Sequence, residues 1–186
     1  MHKKNLNIFC FISDYDEDYI KKLDKNVNII FRNYTLALNL DKLKKLVSFC
    51  KKIDKKIFLA NNVRLAQNLK FNGVYIPSFN NKINLDIIKN NNNFTTLGSA
   101  HNIKQIKIKE AQGVDIIFIA PVFKVPKSKK YLDITKFNSL AFSTNKKVIA
   151  LGGLNKSNIK KLNFLRADGF AGISYFKKKR PHKEAV

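Results

Sequence analysis

Eight short apolar stretches, each followed by a polar or helix-like segment, run through the chain from end to end. They cover residues 7–13, 27–34, 56–60, 73–77, 94–100, 116–122, 147–152 and 169–175. Most are β-branched or aromatic and nearly continuous in apolarity, as in strands of a parallel sheet buried on both faces. Residues 41–54 put Leu43, Leu46, Val47, Cys50 and Ile53 on one helical face, with Asp41 as N-cap. Residues 102–113 start on the capping candidate Asn102, carry Ile103 and Ile106 on one face and end at Gly113. Ile159, Leu162 and Leu165 form a stripe before Gly169, and shorter helical segments follow Asn62 and Asp133. The helical pattern is weakest over 82–89, and the asparagine run 90–93 reads as a loop. Strand–helix alternation implies right-handed crossovers and a parallel sheet. About eight repeats favour a closed α/β structure, a single (β/α)8 TIM barrel. At 186 residues the chain is shorter than the roughly 250 usual for that fold, so its loops must be tight. An open doubly wound sheet would want a glycine-rich turn after the first strand, where "FISDYDED" stands instead. The expected organisation is one barrel over 1–176 and a basic tail over 177–186.

No apolar run approaches the roughly 20 residues of a membrane span. The basic-then-apolar start lacks a small-residue cleavage site and turns acidic at once, so it reads as a first strand and the protein as cytoplasmic. Cys10 and Cys50 sit in apolar stretches without metal-like spacing and read as buried free thiols. The net charge of +23 raises the question of a polyanionic partner. Only four of the 36 basic residues are Arg, Asn and Ile are abundant, and the lysines are spread over the chain. That is the composition of an AT-rich coding sequence, so dedicated nucleic-acid binding is not expected, although the field favours phosphorylated ligands.

In a barrel the chemistry sits where strands end. The exits here read Arg32-Asn33-Tyr34, Asn61-Asn62, Pro77-Ser78, Ser99-Ala100-His101, Pro121-Val122-Phe123, Gly152-Gly153 and Ile173-Ser174. Carboxylates are almost absent, which argues against a hydrolase built on paired acids; groups suited to phosphate abound. In "IALGGLN" the pair Gly152-Gly153 lets backbone N–H groups approach an oxyanion, and a following helix N-terminus near 155–157 would add partial positive charge. A tight turn without a ligand explains the pair equally well. Arg32, ending an apolar strand, needs an anion or a water-filled mouth. His101 is either a structural hydrogen-bonding residue or a catalyst.

These exits, in this order, resemble the thiamine phosphate synthase/TenI family. The resemblance covers nearly the whole chain and is carried by "LGSAHN", "EAQGVDIIFIAPVF", "VIALGGLN" and "RADGFAGISYF". It implies a barrel that joins a pyrimidine pyrophosphate to a thiazole phosphate and releases pyrophosphate. It further implies that Gly152, Gly153, Ile173 and Ser174 hold the thiazole phosphate. Ser99 would lie near the pyrophosphate or pyrimidine, and Arg32, Asn61 and either Lys127 or Lys129 would grip the pyrophosphate. His101 joins the catalytic set and Tyr34 the binding set. The family's Gln-x-Arg-x-Lys reads Ile30-x-Arg32-x-Tyr34, so only the Arg survives. Asn62 and Asn80 stand where the family's Mg²⁺-binding aspartates are expected, and a neutral amide is a much poorer Mg²⁺ ligand. Pro121 stands where the tautomerase branch has a His. The readings are then a divergent synthase, a TenI-like binder or isomerase of thiazole phosphate, and, third, a basic nucleic-acid-binding barrel. Phosphorylated small molecules are the expected partners, no membrane is, and a homo-oligomer is compatible with each reading.

Overall fold

The computed structural model describes residues 6–34, 38–83, 94–126, 128, 130–173, 175 and 176. The strands are β1 (Asn7–Ile12), β2 (Val27–Phe31), β3 (Ile57–Ala60), β4 (Gly73–Ile76), β5 (Thr95–Ala100), β6 (Ile116–Ile119), β7 (Lys147–Leu151) and β8 (Gly169–Gly172). Each pairs in parallel with the next, from Ile8 opposite Val27 onward, and β8 pairs with β1 through Asn7 and Gly169. The sheet is therefore a closed eight-stranded barrel, the TIM architecture expected from the alternation.

The helices are α1 (Glu17–Lys21), α2 (Leu40–Lys52), α3 (Val63–Asn68), α4 (Ile103–Ala111) and α5 (Asp133–Phe142), with a 3₁₀ helix at Ile159–Phe164. The stretch 84–93, with most of the weak helical pattern and the asparagine run, lies outside the described residues, as does the tail 177–186. Asn102 caps α4 by accepting from the Gln105 N–H, and Gly113 follows at φ +72°. The cap of α2 is Asn39, which accepts from the Lys42 N–H; Asp41 falls inside the first turn, where its charge still complements the helix dipole. The segment after β7 is a 3₁₀ helix, and the spacing of three between Ile159 and Leu162 is compatible with it, since side chains three apart eclipse in that helix. Ile103 is 52% exposed, so the buried face of α4 is made by Ile106 and Lys109 instead. The five residues of α1, capped by Asp16, are too few to show a period and do not stand out in the sequence.

Two apolar layers hold the barrel. One lies between strands and helices, where Ile29, Leu46, Cys50, Ile57, Ile106 and Phe137 are fully buried. The other fills the interior with Phe9, Phe11, Ile30, Phe58, Tyr75, Leu97, Phe118 and Ile149. Its rings meet edge to face, Phe9 to Phe118 at 5.0 Å, Phe11 to Tyr75 at 5.2 Å and Tyr75 to Phe118 at 5.5 Å. The interior is a packed aromatic floor beneath the strand exits. Cys10 and Cys50 are buried free thiols, and burial pushes both pKa values up, that of Cys50 to about 12. Among the described residues no helix is long and apolar enough to cross a membrane.

Candidate active site

Because all eight strands are parallel, their exits share one rim. Contacts between successive loops stitch it together. After β2, Tyr34 meets Phe79 of the β4 loop at 5.6 Å, edge to face. After β3, Asn61 accepts a hydrogen bond from Asn80 Nδ2 at 2.8 Å. Asn61 has φ +59°, a left-handed conformation that Asn tolerates better than most residues. Ser78 Oγ lies 3.0 Å from His101 Nε2, and His101 Nδ1 lies 2.7 Å from the Ala120 carbonyl oxygen. A carbonyl only accepts, so Nδ1 carries the proton; in the neutral ring Nε2 then accepts from Ser78. Between the β6 and β7 loops, the Phe123 N–H donates to the Gly152 carbonyl at 3.1 Å.

Arg32 enters this rim half-buried, its guanidinium 4.6 Å from the centre of the Phe11 ring. Among the described residues no carboxylate pairs with it. Below it, burial raises the Tyr75 pKa, while a hydrogen bond from Ser99 and the charge of Arg32 pull the other way. Ser99 is buried and faces the aromatic floor.

The glycine pair has a conformational cause. Gly152 and Gly153 have φ +91° and +74°, and a Cβ on Gly153 would stand 2.5 Å from the Phe123 carbonyl oxygen. Among the described residues, no acceptor takes either glycine N–H. Asn158 clamps the turn, donating to the Gly153 carbonyl at 2.8 Å while its Oδ1 accepts from the Asn155 N–H at 2.9 Å. Asn155 Oδ1 in turn takes the N–H groups of Ser157 and Asn158. Residues 155–158 are therefore a side-chain-bonded turn rather than a helix N-terminus, and the expected dipole contribution there is withdrawn. A cation does reach this end: Lys161 of the 3₁₀ helix stands 5.7 Å over the Phe123 ring.

Among the described residues the rim offers the Arg32 guanidinium, amides, hydroxyls and open backbone N–H groups. It is equipped to hold anions and to stabilise negative charge on a departing group. Residues 24–176 match the model of the thiamine monophosphate synthase family. The chain belongs to that family. It is 29% identical over 173 residues to a putative thiamine-phosphate synthase 2 of Aquifex aeolicus, covering 87% of this chain and 91% of that protein. It is 27% identical over 124 residues to the thiamine-phosphate synthase of Methanococcus vannielii; the match spans 65% of this chain and 59% of that protein. In fold it is similar to a thiamine phosphate pyrophosphorylase from Pyrococcus furiosus, with TM-score 0.73 at 18% identity over 92% of this chain and 87% of the other.

Against the family pattern, the structure brings Arg32, Asn61, Ser99 and His101 to the β2–β5 side of the rim and Gly152 and Gly153 to the β7 exit. Ile173 follows β8, 38% exposed. Lys127, Lys129 and Ser174 lie outside the described residues, although the loop bearing the two lysines starts against the glycine pair. The positions where family aspartates would hold Mg²⁺ do not suit a divalent cation. Asn62 Oδ1 accepts from the Leu65 N–H as the cap of α3, and Asn80 Oδ1 accepts from the Lys82 N–H. Both are neutral and already engaged, and no cluster of three or more His, Cys, Asp or Glu exists among the described residues. Sequence reasoning read Asn155 as part of a helix N-terminus and overlooked Asn158. Two asparagines three residues apart after a glycine pair are a turn signal that could have found them.

Proposed function

We propose that this protein acts as a thiamine phosphate synthase-like transferase, taking a pyrimidine pyrophosphate and a thiazole phosphate. The methylene–oxygen bond to pyrophosphate breaks, the leaving group takes that electron pair, and the thiazole nitrogen forms the new carbon–nitrogen bond. Arg32 stabilises the charge gathering on pyrophosphate. The Asn61 oxygen is engaged by Asn80, which leaves its NH₂ to serve as a further donor. The Gly152 and Gly153 N–H groups, with the β8 exit, anchor the thiazole phosphate. Tyr75 and Ser99 form the floor under the reacting atoms. The observation that carries this reading is an anion-binding rim in a chain that matches the family over 24–176.

No step is routed through Mg²⁺, since the residues present do not suit it. The test is purified protein with both phosphorylated halves, with Mg²⁺ and with EDTA, scored for thiamine phosphate. Product in both conditions is expected. Thiazole phosphate binding without product in either would overturn this reading in favour of the TenI-like binder or isomerase, which the missing carboxylates also allow. Localisation in the cytoplasm and a homo-oligomeric state are part of the same proposal.

A further inference from the structure

Lys109 is fully buried on α4, and among the described residues no carboxylate pairs with it. Its stem packs against β5, where a Cβ on Gly98 would lie 2.9 Å from Lys109 Cδ, so glycine at 98 makes room for it. Nζ donates to the Asn80 carbonyl at 2.7 Å and to Gln112 Oε1 at 2.8 Å. Gln112 Nε2 donates onward to the carbonyls of Asn80 and Lys82, both at 2.8 Å. Lys109 of α4 and Gln112 at its C-cap thus hold two carbonyls of the β4 exit loop. The opposite side of that loop reaches the rim, where the Asn80 side chain holds Asn61.

A buried ammonium with no counter-charge among the described residues is costly, and Gln112 already reaches the same carbonyl. What the ammonium adds is a charge-assisted bond, shorter and stronger than a neutral one. We propose that Lys109 is a positioning residue, fixing the β4 exit loop so that Asn80 presents the Asn61 amide to pyrophosphate. This rests on the reading of the rim as a pyrophosphate site. The surroundings of the ammonium are simple. Among the described residues, Gln112 at the C-cap of α4 and the Asn80 carbonyl of the loop meet it, and Gly98 of β5 adjoins its stem; Glu110 is engaged by Lys107 and Thr144. Burial alone lowers its pKa to about 8. Above that pH the bond to Asn80 loses its charge assistance.

The experiment compares wild type with Lys109→Met, Asn80→Ala and the double variant, each checked for folding by circular dichroism. Each single variant is expected to lower kcat by about tenfold to a hundredfold, since small misplacements near reacting groups cost that much. KM for thiazole phosphate, bound at the other side of the rim, stays put. The double variant is no worse than the poorer single, because the residues act in series. Wild-type kcat falls above about pH 8, and Asn80→Ala lacks that limb. An unchanged kcat in folded Lys109→Met, additive losses, or the same alkaline limb in Asn80→Ala would overturn the inference. If Lys109→Met does not fold, the alkaline limb of Asn80→Ala decides alone. If wild type makes no thiamine phosphate, the synthase reading has failed, and calorimetry with pyrophosphate tests the inference separately. Weaker binding in Asn80→Ala, with the alkaline loss seen only in wild type, supports it; identical binding overturns it.

Discussion

Arg32 and Lys109 are both cations without a carboxylate partner among the described residues, and they lead to opposite expectations. Arg32 rests on an aromatic ring at the rim, where a ligand can reach it. Arg32→Ala should lower kcat/KM by roughly a hundredfold, the usual loss on removing a donor aimed at developing charge. Arg32→Lys should recover only part, because an ammonium lacks the planar fork. A loss under threefold in steady-state kinetics would remove Arg32 from the site. Lys109 is sealed, and its folded pKa of about 8 lies below the ordinary 10.5. Between those values the unfolded chain binds more protons than the folded one, so this group's opposition to folding fades as pH rises through that window. Urea midpoints from pH 7 to 10 should show that contribution in wild type and not in Lys109→Met. The sequence displayed Arg32 plainly, since a guanidinium closing an apolar strand is conspicuous. Lys109 was hidden: on a helix in a lysine-rich chain, a buried lysine has the same spelling as a solvated one.

At the scale of elements, the β7 exit turn is the most constrained piece. Its two glycines have left-handed backbones, its neighbour presses on Gly153, and Asn158 locks it from behind. Gly153→Val should abolish thiazole phosphate binding by calorimetry and cost about 1–3 kcal/mol of stability in denaturant titrations. Asn158→Ala should cost about 1 kcal/mol and weaken the same binding without abolishing it. Full-affinity binding in Gly153→Val would place the phosphate elsewhere. Strands were readable because apolar continuity bounded by polar exits is a strong signal, and each observed strand lies inside its expected stretch. Caps were less readable. Asn39 outranks Asp41 because the helix starts at Leu40, before the apolar period begins at Leu43, and the extended backbone that a cap needs falls at Asn39. The 3₁₀ helix was blurred for a similar reason, since a spacing of three belongs to both helix types until the turn is seen.

The whole molecule carries +23 charges, and a field of that size acts on every anion near the rim. Raising salt from about 50 to 300 mM shortens the screening length by about 2.4-fold, so KM for both phosphorylated substrates should rise together. Random RNA should bind weakly and be released over the same range. Salt-resistant RNA binding without thiazole phosphate affinity would revive the third reading from the sequence. The floor of the barrel has a kinetic consequence. Among the described residues, phenylalanine and tyrosine rings pack the interior beneath the rim, so the rim is the face on which ligands would arrive and leave. Pyrophosphate would therefore compete with the pyrimidine substrate for re-entry, and thiamine phosphate would block both. Turnover would depend on the order in which the products vacate that opening.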